Sequence, residues 1–521
     1  MICIVLRMSK IYSFILTIVL TLLSCSNLDD INSRLDRLEG EIVDDKPRLV
    51  YIEFLSKDNQ EQLIENVTCI IEGDSLVSCW VPYIMNNKQL IPHFFIAGEN
   101  VYCEDKVVVS DETQLDFSKP TVLTVKGSGK ESKYTVFVHA FTGLPVMWIE
   151  TEGRTPITSK EDYLQAHMRL VEDVVTRAPG EAIEADLEIK GRGNSTWGDP
   201  KKPYRLKFRN KVSLLDEPED KSWVLLANYC DKSFLRNKLA FILGSISNLD
   251  YTPKSHFVEL MLNGRYNGTY ELCDKIKVSE NRVNVGKDGF LIEIDALSKN
   301  DLEAISFTTN HLDQPISIKE PEVNYDDEDY LFIRDYVLNA EDALYSDGFM
   351  DSETGWQKYL DLESFVDWYL VNEISRNNDA WRWSSTFMNL KRGGKLKMGP
   401  IWDFDRSFGN AQQFDNYLVE GFWLNKMSWY DRLFLDPVFI AKLKERFVFF
   451  YKKKGEILTQ INAYAQYLKY SMIENDSRWG VLYKDIYPNY DIWGNYMNEV
   501  QFLKDWYSKR MEWLYLAINE L

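Results

Sequence analysis

The chain has 521 residues, enough for two or three domains with full cores. Its composition is globular, at 45% hydrophobic and 27% charged, but 80 Asp and Glu against 60 Lys and Arg leave a net charge of −20. A chain that held nucleic acid by neutralising its phosphates would need a basic surface, so general nucleic-acid binding is set aside and only a local basic cleft remains allowed.

Residues 1–25 read as a targeting signal. Arg7 and Lys10 supply the positive start, and residues 11–23 form an apolar run too short to span a bilayer comfortably. Leu22-Leu23-Ser24-Cys25 resembles a lipobox, which implies a lipid on Cys25 as the membrane anchor. Asn27-Leu28-Asp29-Asp30 resembles the acidic tether that sends some lipoproteins to the outer surface, so the expected location is the cell envelope, lipid-anchored at the outer membrane and surface-exposed. An uncleaved signal anchor is the competing reading.

Within residues 26–46, Leu28, Ile31, Leu35, Leu38 and Ile42 recur at spacings of three and four with charges between them. This predicts a coiled-coil or single-helix stalk, with weak oligomerisation through residues 28–42 because two heptads are marginal alone. Five cysteines remain after Cys3 and Cys25, with no CxxC pair, so zinc ligation is not expected. One disulfide among Cys69, Cys79 and Cys103 is one reading, and buried free thiols are the other.

Residues 47–143 change to short β-rich runs, at 49–54, 67–71, 106–109, 121–125 and 134–138, with Gly127-Ser128-Gly129 as a turn. The spacing predicts a small antiparallel sandwich. It resembles the immunoglobulin-like modules of surface lipoproteins, which implies a spacer. From 144 to 521 strands and helices mix in an α+β manner. Strands are predicted at 146–151 and 187–190, a helix at 235–243, and a hairpin over 258–272. A helix over 361–376 starts at Asp361 with Phe365, Tyr369 and Ile374 on one face, and helices follow at 438–451 and 496–521.

Four blocks in this last region carry candidate chemistry. In the first, the strand runs into Gly191-Arg192-Gly193-Asn194-Ser195, where glycines and small polar residues let backbone N–H groups approach an anion. A Gly-x-Gly turn also serves ordinary hairpins. The following strand carries Lys201, Lys202, Arg205 and Lys207; Arg205 and Lys207 share a face, and one or the other is the candidate for a phosphate. In the second, Asp231 sits near a helix start, and Arg236, Asn237 and Lys238 form its polar side, either solvated or facing a cleft. In the third, Glu271, Leu272 and Cys273 end the hairpin, and Glu293 and Asp295 share one face of a strand.

The fourth block is the most informative. Asn377-Asn378-Asp379-Ala380-Trp381-Arg382 follows the helix, and a later strand delivers Trp402-Asp403-Phe404-Asp405-Arg406-Ser407-Phe408-Gly409. Phosphoryl transfer needs a carboxylate to orient the attacking hydroxyl and hard oxygen ligands to hold a divalent cation on the phosphates. Helix, loop Asp, hairpin, then strand Asp is the order in which kinases supply these two functions. Several buried carboxylates in one neighbourhood also demand compensation, which a cation supplies more simply than unrelated caps.

Together the four blocks, spread over residues 190–410, resemble the spore-coat CotH-like kinase family. The resemblance implies an atypical, bilobal, protein-kinase-like α+β domain over 144–521. It implies ATP as phosphate donor and Mg²⁺ (or Mn²⁺) as cofactor, with Ser or Thr of a surface or envelope protein as acceptor. By the same resemblance Asp379 takes the catalytic-loop role, Asp403 and Asp405 the metal role, and Gly191, Arg192, Gly193, Asn194, Ser195, Arg205 and Lys207 the nucleotide-binding role. Residues Glu271 to Cys273 would border the adenine. Ser384 and Thr386 stand where relatives commonly place Asn.

Two other classes compete. A non-catalytic kinase-like surface lipoprotein would bind glycan or protein, with Trp381, Trp383, Trp402 and Trp423 suited to stacking on sugars. A glycosidase would use two carboxylates such as Asp403 and Asp405.

Overall fold

The computed structural model describes residues 46–521 apart from 61, 64–65, 83–87, 142, 173–181, 295–304 and 381–384. The signal, Cys25, the stalk at 26–45 with its seam at 28–42, Asp295, Trp381, Arg382, Trp383 and Ser384 therefore lie outside the described residues. The chain is of mixed α+β type and divides into two compact units. The first comprises residues up to Trp197 with Tyr204–Val212 and Val258–Gly268; the second comprises Gly198–Pro203, Ser213–Phe257 and Thr269–Leu521.

The first unit is built of strands. Arg48–Phe54 lies between Val67–Thr68 and Pro92–Ala97 in one sheet. A second sheet runs, in hydrogen-bonded order, Ile70–Glu72, Leu76–Pro82, Lys130–Phe141, Thr121–Gly127, Asn100–Cys103 and Lys106–Val108. Alternation decides which side chains enter the core. In Thr121–Gly127, Leu123 and Val125 are buried while Val122 and Lys126 face out. Ile52, Phe54, Val77, Trp80, Leu123 and Val136 belong to one apolar cluster. The pairing of Lys130–Phe141 with Leu76–Pro82 is parallel, so this sheet is not purely antiparallel. Beyond residue 143 the unit continues with Val146–Thr151, Leu164–Val171, Ile183–Gly191 and Tyr204–Val212, each antiparallel to the next.

The second unit carries the helices: α1 (Arg236–Ser245), α2 (Glu328–Tyr345), α3 (Leu362–Ser375), α4 (Trp429–Leu433), α5 (Pro437–Trp479) and α6 (Tyr496–Asn519). A five-stranded sheet holds Ser306–Thr308, Pro315–Glu320, Phe290–Ile294, Thr386–Leu390 and Lys397–Met398 in that spatial order. Asp361 starts α3 by accepting the Ser364 N–H at 2.9 Å, and Arg376 ends it in the left-handed conformation. Every residue from Ser364 to Ser375 is buried, so α3 is a central helix rather than the one-faced helix expected from the sequence. Asp436 caps α5 through the Val438 N–H, with Pro437 in the first turn and Gly480 as its left-handed stop. α5 runs 43 residues and packs along α6 and α3.

Candidate functional site

Two loops of the second unit present the carboxylates, and both are tightly held. The first leaves α3 at Arg376. Asn377 Oδ1 accepts the Asp379 N–H at 3.1 Å, its Nδ2 donates to Asn372 Oδ1 at 3.0 Å, and its carbonyl takes the Trp423 indole N–H at 2.6 Å. Beneath it lies a fully buried ion pair: Glu373 meets Arg510 of α6 at 2.6 Å and also accepts the backbone N–H groups of Trp423 and Leu424. Paired and saturated, these charges fix the loop that ends in Asp379.

The second loop runs from Ile401 to Asn410. Asn237 Oδ1 of α1 accepts the Phe404 N–H at 2.8 Å, Asn237 Nδ2 donates to Asn228, and Asn228 donates to Glu271 at 2.9 Å. Arg236 Nε donates to the Ser407 carbonyl at 3.1 Å while its guanidinium pairs with Asp231, whose other oxygen caps α1 at the Arg236 N–H. Asn410 Nδ2 donates to the carbonyls of Asp405 and Cys230. Asp403 itself has φ +71°, a left-handed backbone that a non-glycine residue adopts only under constraint. Its Oδ2 accepts from Ser385 Oγ at 3.3 Å; the Ser385 N–H is bound by Glu293, which pairs with Lys319.

Asp405 is buried; Asp379, Asp403 and Arg406 are half-buried. Burial, then the charge of Asp403 and a smaller contribution from Asp379, pushes the Asp405 carboxyl up to about 7, against the opposing pull of Arg406 and the Cys230 thiol. Asp403 and Asp379 thus put excess negative charge beside the buried Asp405 carboxyl. Burial works against the Arg406 guanidinium, but Asp405, with Cys230, Asp379 and Asp403, outweighs it and strengthens its hold on its proton. Burial pushes the Asp199 carboxyl up, and the charges of Arg406 and Lys202 oppose that push.

Among the described residues no three His, Cys, Asp or Glu side chains come together closely enough to hold a metal ion by themselves. The donor set fits Mg²⁺ in its usual protein form, one or two carboxylates with water and phosphate oxygens completing the shell. Asn378 Oδ1, next to Asp379, is buried with no hydrogen-bond partner among the described residues, an orphaned hard oxygen of the kind a cation or bound water satisfies.

The other expected site residues have local explanations. Gly191 ends a strand, and a Cβ there would stand 2.2 Å from the Trp197 ring, so its missing side chain makes room for that indole. Gly193 has φ +88° and its carbonyl accepts from Lys160; Asn194 and Ser195 are exposed, and Arg192 is half-buried. Lys207 pairs with Glu188 at 2.8 Å, and Arg205 and Lys207 both act on Tyr163. These residues belong to the first unit and the three carboxylates to the second. Glu271, Leu272 and Cys273 are all buried, as are Arg236, Asn237 and Glu293. Trp423 is a structural hydrogen-bond donor, and Trp402 lies tilted against Phe241 at 6.0 Å.

Sequence reasoning gave no role to Arg406, Cys230, Lys202 or Asp199. Arg406 had a signal, a cation directly following Asp405 and three residues after Asp403. Cys230 and Asp199 had none, because only the fold brings them to the site.

Two solved structures from Bacteroides show distant likeness. One is a DUF4623 family protein from Bacteroides eggerthii, at 8% identity and a TM-score of 0.15, over 36% of this chain and 58% of that one. The other is a putative glycoside hydrolase from Bacteroides thetaiotaomicron, at 13% identity and a TM-score of 0.15, over 55% of this chain and 86% of that one. The chain thus spans little more than half of the first. No curated protein matches it. Residues 188–514, which contain both carboxylate loops, match the family model described as CotH kinase protein, and the chain belongs to the CotH kinase family.

Proposed function

We propose that the protein is an atypical protein kinase of the cell envelope, transferring a phosphoryl group from ATP to Ser or Thr of surface proteins. The observation that carries this reading is that Asp403 and Asp379 both raise the proton affinity of the buried Asp405 carboxyl while Arg406 opposes them, within the stretch that matches the family. The proposal includes a bilobal, kinase-like arrangement, an immunoglobulin-like module before it, and a lipid anchor on Cys25.

In this reading Asp379 accepts a hydrogen bond from the acceptor hydroxyl and orients it for in-line attack. Its own position is set by Asn377 and the α3 stop. Asp403 and Asp405 would hold Mg²⁺ (or Mn²⁺), which when bound neutralises charge on the phosphoryl group being transferred. Ser385 and Cys230 each donate to one of these carboxylates and so fix its orientation. The half-buried Arg406, with Lys202, supplies positive charge for the phosphates from within the same unit.

The test is phosphate transfer from radiolabelled ATP and Mg²⁺ to the chain itself and to envelope protein fractions. Transfer that is lost in both Asp379→Asn and Asp405→Asn, with folding intact, supports the reading. Equal labelling by wild type and both variants sinks it.

A further inference from the structure

The hairpin of Ile70–Glu72 and Leu76–Pro82 in the first unit holds an arrangement that has no part in phosphoryl transfer. Its register pairs Ile70 with Ser78, Ile71 with Val77 and Glu72 with Leu76. Continued one step, the same register would set Cys69 opposite Cys79. Two observations keep the pair in place. The connecting turn is only three residues long and Gly73 takes its left-handed position at φ +57°, which leaves no slack for a slipped register. On the other side, the Cys69 N–H donates to the Ile52 carbonyl at 3.0 Å, tying it into the neighbouring strand.

Both cysteines are almost completely buried and belong to the same apolar cluster. Both are free thiols in this structure, and burial first, then the neighbouring Cys79 thiol, raises the proton affinity of the Cys69 thiol. Residues directly opposed across antiparallel strands have Cα atoms about 4.5–5.5 Å apart, inside the range a disulfide spans. Cys103 does not qualify as a partner for Cys79. Its strand, Asn100–Cys103, is separated from Leu76–Pro82 by Thr121–Gly127 and Lys130–Phe141. Three strand spacings amount to about 14 Å, well beyond bonding reach.

We propose that Cys69 and Cys79 form a cross-strand disulfide, made by thiol–disulfide exchange as the first unit folds. The oxidant is a small-molecule or protein disulfide. One cysteine thiolate attacks a sulfur of that disulfide, forming a mixed disulfide and expelling one thiol; the second cysteine thiolate displaces the other. Two protons leave the cysteines, one S–S bond forms in the chain, and the oxidant is reduced to two thiols. Burial of both sulfurs dates the exchange to folding rather than to the packed native state, and it then shields the bond from reductants.

The full chain is unfolded in urea with dithiothreitol and refolded in parallel with oxidised glutathione or with reductant alone. Free thiols are then blocked under denaturing conditions and the peptides mapped by mass spectrometry. The oxidised sample is expected to contain the peptides of Cys69 and Cys79 joined and lighter by two hydrogen atoms, with Cys103, Cys230 and Cys273 blocked. Its first unfolding transition rises by several degrees over the reduced sample, and a Cys69→Ser/Cys79→Ser variant loses that difference. Blocking of both Cys69 and Cys79 after oxidative refolding overturns the proposal, as does a bridge that includes Cys103. Should the double variant fail to fold, the wild-type peptide map alone decides. None of these outcomes depends on kinase activity.

Discussion

The Cys230 thiol donates a hydrogen bond to Oδ2 of Asp405 across 3.2 Å, from a position 175 residues earlier in the chain. Both groups are buried, so the bond is shielded from water and fixes which way the carboxylate faces. Outer partners that orient a metal-binding carboxylate typically matter about 10-fold or more to metal affinity. Cys230→Ala should therefore raise the Mg²⁺ concentration needed for half-maximal phosphate transfer about 10-fold. Cys230→Ser, which keeps a donor, should stay close to wild type. A Mg²⁺ titration of transfer rate measures both, and equal behaviour of the two variants would deny the thiol its orienting role.

Asp405 also makes stability depend on pH in a defined direction. Its folded carboxyl is pushed up to about 7 by burial and by Asp403, well above the value it has in an unfolded chain. Between those two values the folded state binds a proton that the unfolded state does not. Without divalent cation, stability should therefore fall as pH rises from about 4 to about 7. The contribution is on the order of a few kcal/mol at most, because the charge is shared with neighbouring groups. Asp405→Asn should lose this component. Urea unfolding of wild type and variant at pH 5.5 and 8, each about a unit or more from the midpoint, checks it: the variant should gain on wild type at the higher pH.

What the sequence reveals here is what local chemistry dictates. Asp361 is visible as a helix start because a carboxylate before an apolar run satisfies free N–H groups. Asp379 and the Asp403–Asp405 pair stand out because each lies in a short polar motif beside a helix or strand end. The length of α5 does not show: the helix expected at 438–451 stops just before Lys452, Lys453, Lys454 and Gly455. A mid-helix Gly costs only about 1 kcal/mol against Ala, and packing along α6 offsets it. The one-faced reading of α3 failed for a related reason: Asp367, Asn372 and Glu373 look exposed by type but are buried with partners such as Arg446 and Arg510. Ion pairs across 79 or 137 residues leave no periodic trace.

The Glu373–Arg510 pair under the Asp379 loop gives a third expectation. Removing one member of a buried pair leaves the other charge uncompensated and costs about 3–5 kcal/mol. Arg510→Met should therefore lower the urea midpoint strongly, and it also removes donors to the carbonyls of Val419 and Gly421. Glu373→Gln should cost less, because the amide oxygen can still accept from Trp423 or Leu424. If Arg510→Met unfolds no more easily than a surface Lys→Met control, the pair does not hold the loop.

Gly191 and Lys202 separate a structural from a phosphate-binding use of the first motif. A methyl group at Gly191 collides with the Trp197 ring, so Gly191→Ala should destabilise by about 1–3 kcal/mol, the usual cost of overpacking. Trp197→Ala removes the obstacle, and in that background Gly191→Ala should be nearly silent; urea unfolding of the four proteins measures this coupling. Lys207 is engaged by Glu188 on an exposed strand face, so Lys207→Ala should leave the KM for ATP unchanged. Lys202 acts on the Asp199 carboxylate that Arg406 also acts on, and Lys202→Ala should raise that KM about 10-fold, the size of one charged phosphate contact. The reverse pattern, with Lys207→Ala impaired and Lys202→Ala normal, would return phosphate binding to the strand Tyr204–Val212.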